Sequence, residues 1–127
     1  MKLALKMAGL LPEEIDHINV HATSTEAGDE IEARSIKDVF GPHANKLTIS
    51  AIKSSIGHTF AAAGIIETIF GIKSMQQSIA PKILNLNDPD ILDINYATSN
   101  INQDINLMLK NSFGFGGINV SCVFKKI

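Results

Sequence analysis

Cysteine is nearly absent from this chain: among 127 residues there is one, Cys122. A single thiol excludes a framework of internal disulfides and the small secreted scaffolds that depend on one. Arginine is as scarce, Arg34 being the only one, and the lysines are scattered rather than gathered into a patch. With a formal net charge of −2, nucleic-acid binding is excluded as a primary function. No stretch approaches the roughly 20 consecutive apolar residues of a membrane span. The first residues carry Lys2 and some apolar side chains, without the apolar core or cleavage site of a secretory leader. These absences predict a protein of the reducing cytoplasm with no membrane span.

What is present is an ordinary globular composition, 45% hydrophobic and 19% charged, enough for a single domain over residues 1–127. Apolar residues at 3, 4, 7, 10 and 11 predict an opening helix. A chain that starts inside an amphipathic helix is expected to be a fragment. Residues 15–21 and 47–51 read as short buried strands. Between them, Thr23-Ser24-Thr25 offers hydroxyls to cap a helix over 26–40, which Gly41-Pro42 ends. Residues 53–57 read as a loop and 58–77 as a long helix. That helix is small at Ala61-Ala62-Ala63-Gly64 and apolar on nearly every face at Ile65, Ile66, Ile69, Phe70 and Ile72. A helix without a polar face is expected to be buried on all sides, and one small domain can hardly cover it. Residues 106–110 and 118–125 read as strands, and period-2 alternation puts Cys122 among Ile118, Val120 and Phe124 as a small buried hydrophobe.

Three segments carry candidate chemistry: His21-Ala22-Thr23-Ser24-Thr25, Lys53-Ser54-Ser55-Ile56-Gly57-His58 and Asn111-Ser112-Phe113-Gly114-Phe115-Gly116-Gly117. Together they resemble the signature of the β-ketoacyl-[acyl-carrier-protein] synthases of the thiolase superfamily, in particular the type II elongating enzymes. That signature is His-Gly-Thr-Ser-Thr, then Lys-Ser-x-x-Gly-His, then Asn-Ser-Phe-Gly-Phe-Gly-Gly. The second and third are intact, and the first has Ala22 in place of glycine. The resemblance covers essentially the whole chain, including residues 19–29 and the ending 123–127, and corresponds to the C-terminal half of such a synthase. It implies an α/β fold: half of a thiolase-like architecture, with a mixed sheet and packed helices, one of them the buried Ala/Gly/Ile-rich helix.

Decarboxylative condensation develops negative charge on a thioester oxygen as carbon dioxide leaves. Fixed hydrogen-bond donors at that oxygen lower the barrier, each removal typically costing about 3 kcal/mol. The resemblance assigns this task to His21 and His58 as neutral imidazoles. The expected position of His58 at a helix start, where the dipole disfavours imidazolium, agrees with neutrality. Lys53 would support the electrostatics with Glu67 as its ion-pair partner, since a carboxylate amid isoleucines needs one. Thr23 and Thr25 would bind the phosphopantetheine arm, and Phe115, with Phe113 beside it, would gate the acyl pocket. Asn119 would order the site, and Gly114, Gly116 and Gly117 would allow the gate its backbone freedom. His17 and His43 lie outside the motifs and read as packing residues.

The resemblance also implies an acyl-carrying cysteine at the start of a buried helix in the N-terminal half, which Cys122 does not match. The expectation is a transferase without metal or permanently bound cofactor, acting on acyl groups carried by the phosphopantetheine of acyl carrier protein. The isolated chain is expected to be inactive. Its apolar face would be covered by the N-terminal half or by a self-associated copy. A non-catalytic module that binds acyl carrier protein, or a split-gene remnant, are the other readings. Ala22 adds a strain: if its position demands positive φ, alanine is disfavoured there.

Overall fold

The computed structural model describes residues 1–89 and 93–127. Its regular elements are α1 (Lys2–Ala8), β1 (His17–Asn19), α2 (Glu26–Phe40), β2 (Thr48–Ser50), α3 (Lys53–Ile56), α4 (Ala63–Gln77), β3 (Ile79–Ala80), β4 (Ile101–Asn102), β5 (Leu107–Phe113) and β6 (Asn119–Lys125). Four strands form a mixed sheet in the order β2-β1-β5-β6. β1 runs parallel to β2 and to β5, and β6 antiparallel to β5. β3 and β4 form a separate two-stranded ribbon that the hydropathy pattern does not predict. With two residues in each strand, it has no period to read.

Alternation along the strands gives the sheet two unlike faces. Ile18, Ile49 and Leu109 point to one side, where Leu5 of α1 and Ala33, Ile36 and Phe40 of α2 complete the larger core. Registered residues His17, Thr48 and Met108, then Asn19, Ser50 and Lys110, point to the other. That face is polar apart from Met108, and α4 lies across it at β5 and β1. Close approach requires Gly71, where a Cβ would sit 2.5 Å from the Met108 sulfur and methyl.

Within these residues only one stripe of the apolar helix is covered. The stripe of α4 facing the sheet is Ala63, Glu67, Gly71, Ser74 and Met75. Ile65, Ile69 and Ile72 point outward, with Ile65 61% and Ile69 52% exposed. The polar sheet face receives Glu67 and Ser74, while the outer side carries isoleucines together with Lys73, Gln76 and Gln77.

Two boundaries also differ. The expected loop at 53–57 contains the helix α3. The long helix begins at Ala63 rather than His58, because Phe60 adopts φ +50°, which a right-handed helix cannot include. Cys122 is exposed rather than buried. It points to the α4 side of the sheet but lies on the edge strand beyond the helix, where Val120 is exposed as well. Among the described residues no helix is long and apolar enough to cross a membrane.

This arrangement sets a contrast that chemical denaturation can read. Leu109→Ala, in the larger core, is expected to cost about 2–5 kcal/mol. Ile69→Glu, on the outer face of α4, is expected to change the stability of the chain by less than about 0.5 kcal/mol. A large loss from Ile69→Glu in a monomeric sample would mean that this face is covered within the chain.

Candidate active site

His21 follows the C-terminal end of β1, and the chain turns sharply there. Ala22 adopts φ +32° and Ser24 φ +61°, so the strain anticipated for alanine in this motif is present. A second carboxylate holds the turn. Glu32, buried on α2, accepts the His21 N–H at 2.9 Å with Oε1 and the Ala22 N–H at 2.9 Å with Oε2. Asn111 Nδ2 donates to the same Oε1 at 3.0 Å, and Ser121 Oγ donates to Asn111 Oδ1 at 2.8 Å. The first and third motifs are thereby joined through a residue the motif reading missed. The signal was available: Glu32 lies on the helix face of Ala33, Ile36 and Phe40, where a carboxylate needs a buried partner.

His58 lies in the loop between α3 and the 3₁₀ turn Phe60–Ala62, not at a helix start. The dipole argument for its neutrality therefore does not apply. Its ring meets that of His21 edge to face, with centroids 5.7 Å apart. Phe113 contacts the His21 ring, also at 5.7 Å, and Phe60 stacks on His58 at 5.1 Å. The structure thus brings the two motif histidines together with Phe113.

Behind them lies a charged cluster. Glu67 is 1% exposed. Its Oε1 pairs with Lys53 at the start of α3, and its Oε2 lies 2.7 Å from Lys110 Nζ on β5. Asn19 Nδ2 donates to the Glu67 backbone carbonyl at 3.1 Å, fixing that turn of α4 to β1. The Lys53 ammonium also donates to the His21 carbonyl and lies 3.4 Å from His21 Nδ1. The expected Lys53–Glu67 pair is present, and Lys110 is a second partner that sequence reasoning missed. The signal was a lone lysine continuing the apolar run Leu107-Met108-Leu109 into a strand buried on both faces.

The hydrogen bonds define which ring nitrogens carry protons. An ammonium and a peptide N–H donate and do not accept. Lys53 faces His21 Nδ1, and the Phe60 N–H donates to His58 Nδ1 at 3.1 Å. Both Nδ1 atoms are therefore placed as acceptors, the arrangement in which a neutral ring carries its hydrogen on Nε2. The His21 pKa is lowered to about 4, first by burial, then by the positive charges of Lys53 and Lys110, with Glu67 opposing. Burial also pushes Lys110 below the ordinary lysine range, with Glu67 opposing.

The remaining candidates are more open. Thr23 Oγ1 and Thr25 Oγ1 lie 3.2 Å apart at the mouth of α2. Thr25 takes the N-cap position but makes no side-chain cap bond, so the expected hydroxyl cap is not formed. Instead Asp29 Oδ2 accepts the Ser24 N–H at 3.2 Å. Phe115 opens the turn between β5 and β6 and is 99% exposed. Gly116 (φ +76°) and Gly117 (φ +82°) give that turn a backbone that side chains disfavour. Asn119 starts β6 opposite Phe113 and is exposed. The non-motif histidines are structural: His17 is buried with Nε2 3.0 Å from Ser50 Oγ, and His43 Nε2 donates to the Ile15 carbonyl at 2.9 Å. Among the described residues, no group of three or more histidine, cysteine or acidic side chains is placed to hold a metal.

Comparison with known proteins bears on the family and the fold. Residues 1–87 match the family model for the β-ketoacyl synthase C-terminal domain. The chain is 42% identical over 129 residues to 3-oxoacyl-[acyl-carrier-protein] synthase 2 of Coxiella burnetii, covering all of this chain and 31% of that protein. It is 43% identical over 132 residues to the mitochondrial 3-oxoacyl-[acyl-carrier-protein] synthase of Arabidopsis thaliana, covering all of this chain and 29% of that one. It therefore spans less than a third of the length of these relatives. Among solved structures, a β-ketoacyl synthase from Burkholderia phymatum superposes with a TM-score of 0.93 at 35% identity, over all of this chain and 31% of that one. A type II polyketide ketosynthase, solved with its acyl-carrier protein and bound to the hexaketide, superposes with a TM-score of 0.94 at 31% identity, over 99% of this chain and 31% of that one. The fold is thiolase-like, as the motifs imply.

Two measurements follow from the site. His17 and His21 are both lowered from 6.5 to about 4, each chiefly by burial. Between those values the unfolded chain binds more protons than the folded one. Stability is therefore fully present above pH 6.5 and falls as pH drops toward 4. Fully buried His17 contributes on the order of 3 kcal/mol of that loss, and urea midpoints at pH 7 and pH 4.5 measure the sum. The second concerns the turn. Ala22→Gly is expected to stabilise the chain by about 1 kcal/mol through relief of the positive φ, whereas Glu32→Ala is expected to destabilise it by about 1–3 kcal/mol through orphaned donors.

Proposed function

The chain belongs to the β-ketoacyl synthase family through that C-terminal domain, and from this membership we propose that it supplies the decarboxylating side of a 3-oxoacyl-[acyl-carrier-protein] synthase active site. The observation that carries the reading is the pair of adjacent imidazoles, each with its Nδ1 occupied by a donor. What is left to offer a ligand is two Nε2–H groups. They bind the carbonyl oxygen of a malonyl thioester and hold the charge that gathers there as carbon dioxide leaves. The resulting enolate carbon attacks an acyl thioester, forming the carbon–carbon bond and expelling the acyl-carrying thiolate. The product is a β-ketoacyl group on acyl carrier protein.

The other residues take supporting parts in this reading. Lys53, set by Glu67, orients His21 and fixes its tautomer. The hydroxyls of Thr23 and Thr25 receive the phosphopantetheine arm that carries malonyl into the site from acyl carrier protein. Phe113 walls the imidazole pair, Phe115 swings on Gly116 and Gly117 beside the acyl group, and Asn119 steadies the turn opposite Phe113.

The acyl-carrying thiol comes from outside these 127 residues. Cys122 lies in mid-strand on β6 and lacks the helix N-terminus that favours a thiolate in condensing enzymes. Residues beyond this segment, or a second chain, also cover the exposed isoleucines of α4, a face too apolar for a solvent-facing layer.

The experiment is a radiolabelled malonyl-[acyl-carrier-protein] assay. The chain by itself is expected to give no condensation product, and turnover by the pure chain would overturn the external-thiol reading. Joined to the cysteine-bearing remainder of a relative, it is expected to release carbon dioxide. His21→Ala and His58→Ala should each lower that release by about 10²–10³-fold. Undiminished release in both variants would remove the imidazole pair from the mechanism.

A further inference from the structure

Lys110 has no part in the three motifs, yet it reaches the centre of the site from the middle of β5. It is 3% exposed. Its Nζ forms an ion pair with Glu67 Oε2 at 2.7 Å and donates to the Asn111 carbonyl. Glu67 is consequently divided, one oxygen to each lysine. Behind the imidazoles two ammonium groups share the one carboxylate of Glu67, and the buried Glu32 carboxylate acts on Lys110 from farther off.

The division has a geometric consequence. A carboxylate alone with Lys53 can offer it both oxygens and draw the ammonium toward itself. With Oε2 occupied by Lys110, Lys53 keeps Oε1 and turns its remaining donors to the His21 carbonyl and Nδ1. We propose that Lys110 is a positioning residue: by occupying one oxygen of Glu67 it holds Lys53 against His21 and keeps the imidazole neutral with its proton on Nε2. The usefulness of that tautomer rests on the function proposed above, whereas the positioning itself does not.

The groups that face His21 are few and named. Lys53, Lys110 and His58 oppose a proton on its ring, Glu67 favours one, and Glu32 engages its backbone N–H. Removing the Lys110 charge takes the balance of the two lysines and Glu67 from one excess positive charge to neutrality. The His21 pKa must then rise, and Lys53, free to share both oxygens of Glu67, loosens from Nδ1.

The test is a histidine NMR titration of the 127-residue chain and its Lys110→Met and Lys110→Arg variants, following ring nitrogens and Hε1 protons. It needs no acyl substrate, so its result is separate from that of the condensation assay. In Lys110→Met, His21 is expected to bind its proton roughly tenfold or more tightly, a shift of at least about one pKa unit. The ring nitrogens should also change from a single Nε2–H tautomer to a mixture. Lys110→Arg, which keeps the charge, should retain both native properties. His17, buried on the same sheet face but outside the cluster, reports on general opening of the core, which would raise both histidines. A Met variant with His21 unmoved and His17 still low would overturn the proposal. If Met raises both histidines, Arg decides: a low His21 in Arg supports the proposal, and a raised one reduces Lys110 to a packing residue.

Discussion

Glu67 is a carboxylate held where water does not reach, and most of the site is arranged around it. Taking one such charge out of water costs several kcal/mol even after the protein relaxes. The cost is offset by Lys53 and Lys110, while Asn19 ties the backbone of the same residue to the sheet. These partners come from α3, β5 and β1. One buried charge thereby fixes the height and rotation of α4 against the sheet, and through Lys53 it also reaches His21. Loss of Glu67 would leave both ammonium groups without their carboxylate, so the cluster depends on this one residue.

Glu32 does from the other face of the sheet what Glu67 does from beneath α4. It takes the two backbone N–H groups that the turn at His21 and Ala22 exposes, and it takes Asn111 as well. The turn carries a positive φ at a residue with a side chain, a conformation that persists only where surrounding contacts impose it. His21 is therefore held at its backbone by one carboxylate and at its ring by a lysine that another carboxylate orients. In the proposed reading this fixed placement suits donors that must be in place before charge develops.

The hydropathy of α4 runs opposite to that of an ordinary surface helix. Glutamate and serine face the sheet and isoleucines face out. The buried cluster accounts for Glu67 on the covered stripe, beside the small Ala63 and Gly71 that let the helix approach the sheet. An outward apolar face is the cost, and it agrees with relatives more than three times as long as this chain.

Sequence alone determined the parts of this protein that depend on local pattern. Strand cores at 17–19, 48–50 and 107–110, the 26–40 helix with its glycine stop, and the three motifs were readable because periodicity and turn chemistry act between near neighbours. The pairing of Lys53 with Glu67 was implied by the family resemblance, and the neighbouring isoleucines marked Glu67 as a carboxylate in need of a partner. Tertiary structure decided the rest. Cys122 is exposed because its strand lies at the sheet edge, beyond the reach of α4, and alternation records which face a residue takes but not what covers it. His58 lies outside the helix because one residue, Phe60, leaves the helical region, and no composition rule marks that place. Glu32 and Lys110 entered the site from elements far away in sequence, since the distance between two charges is set by how α2, α4 and β5 pack on one sheet.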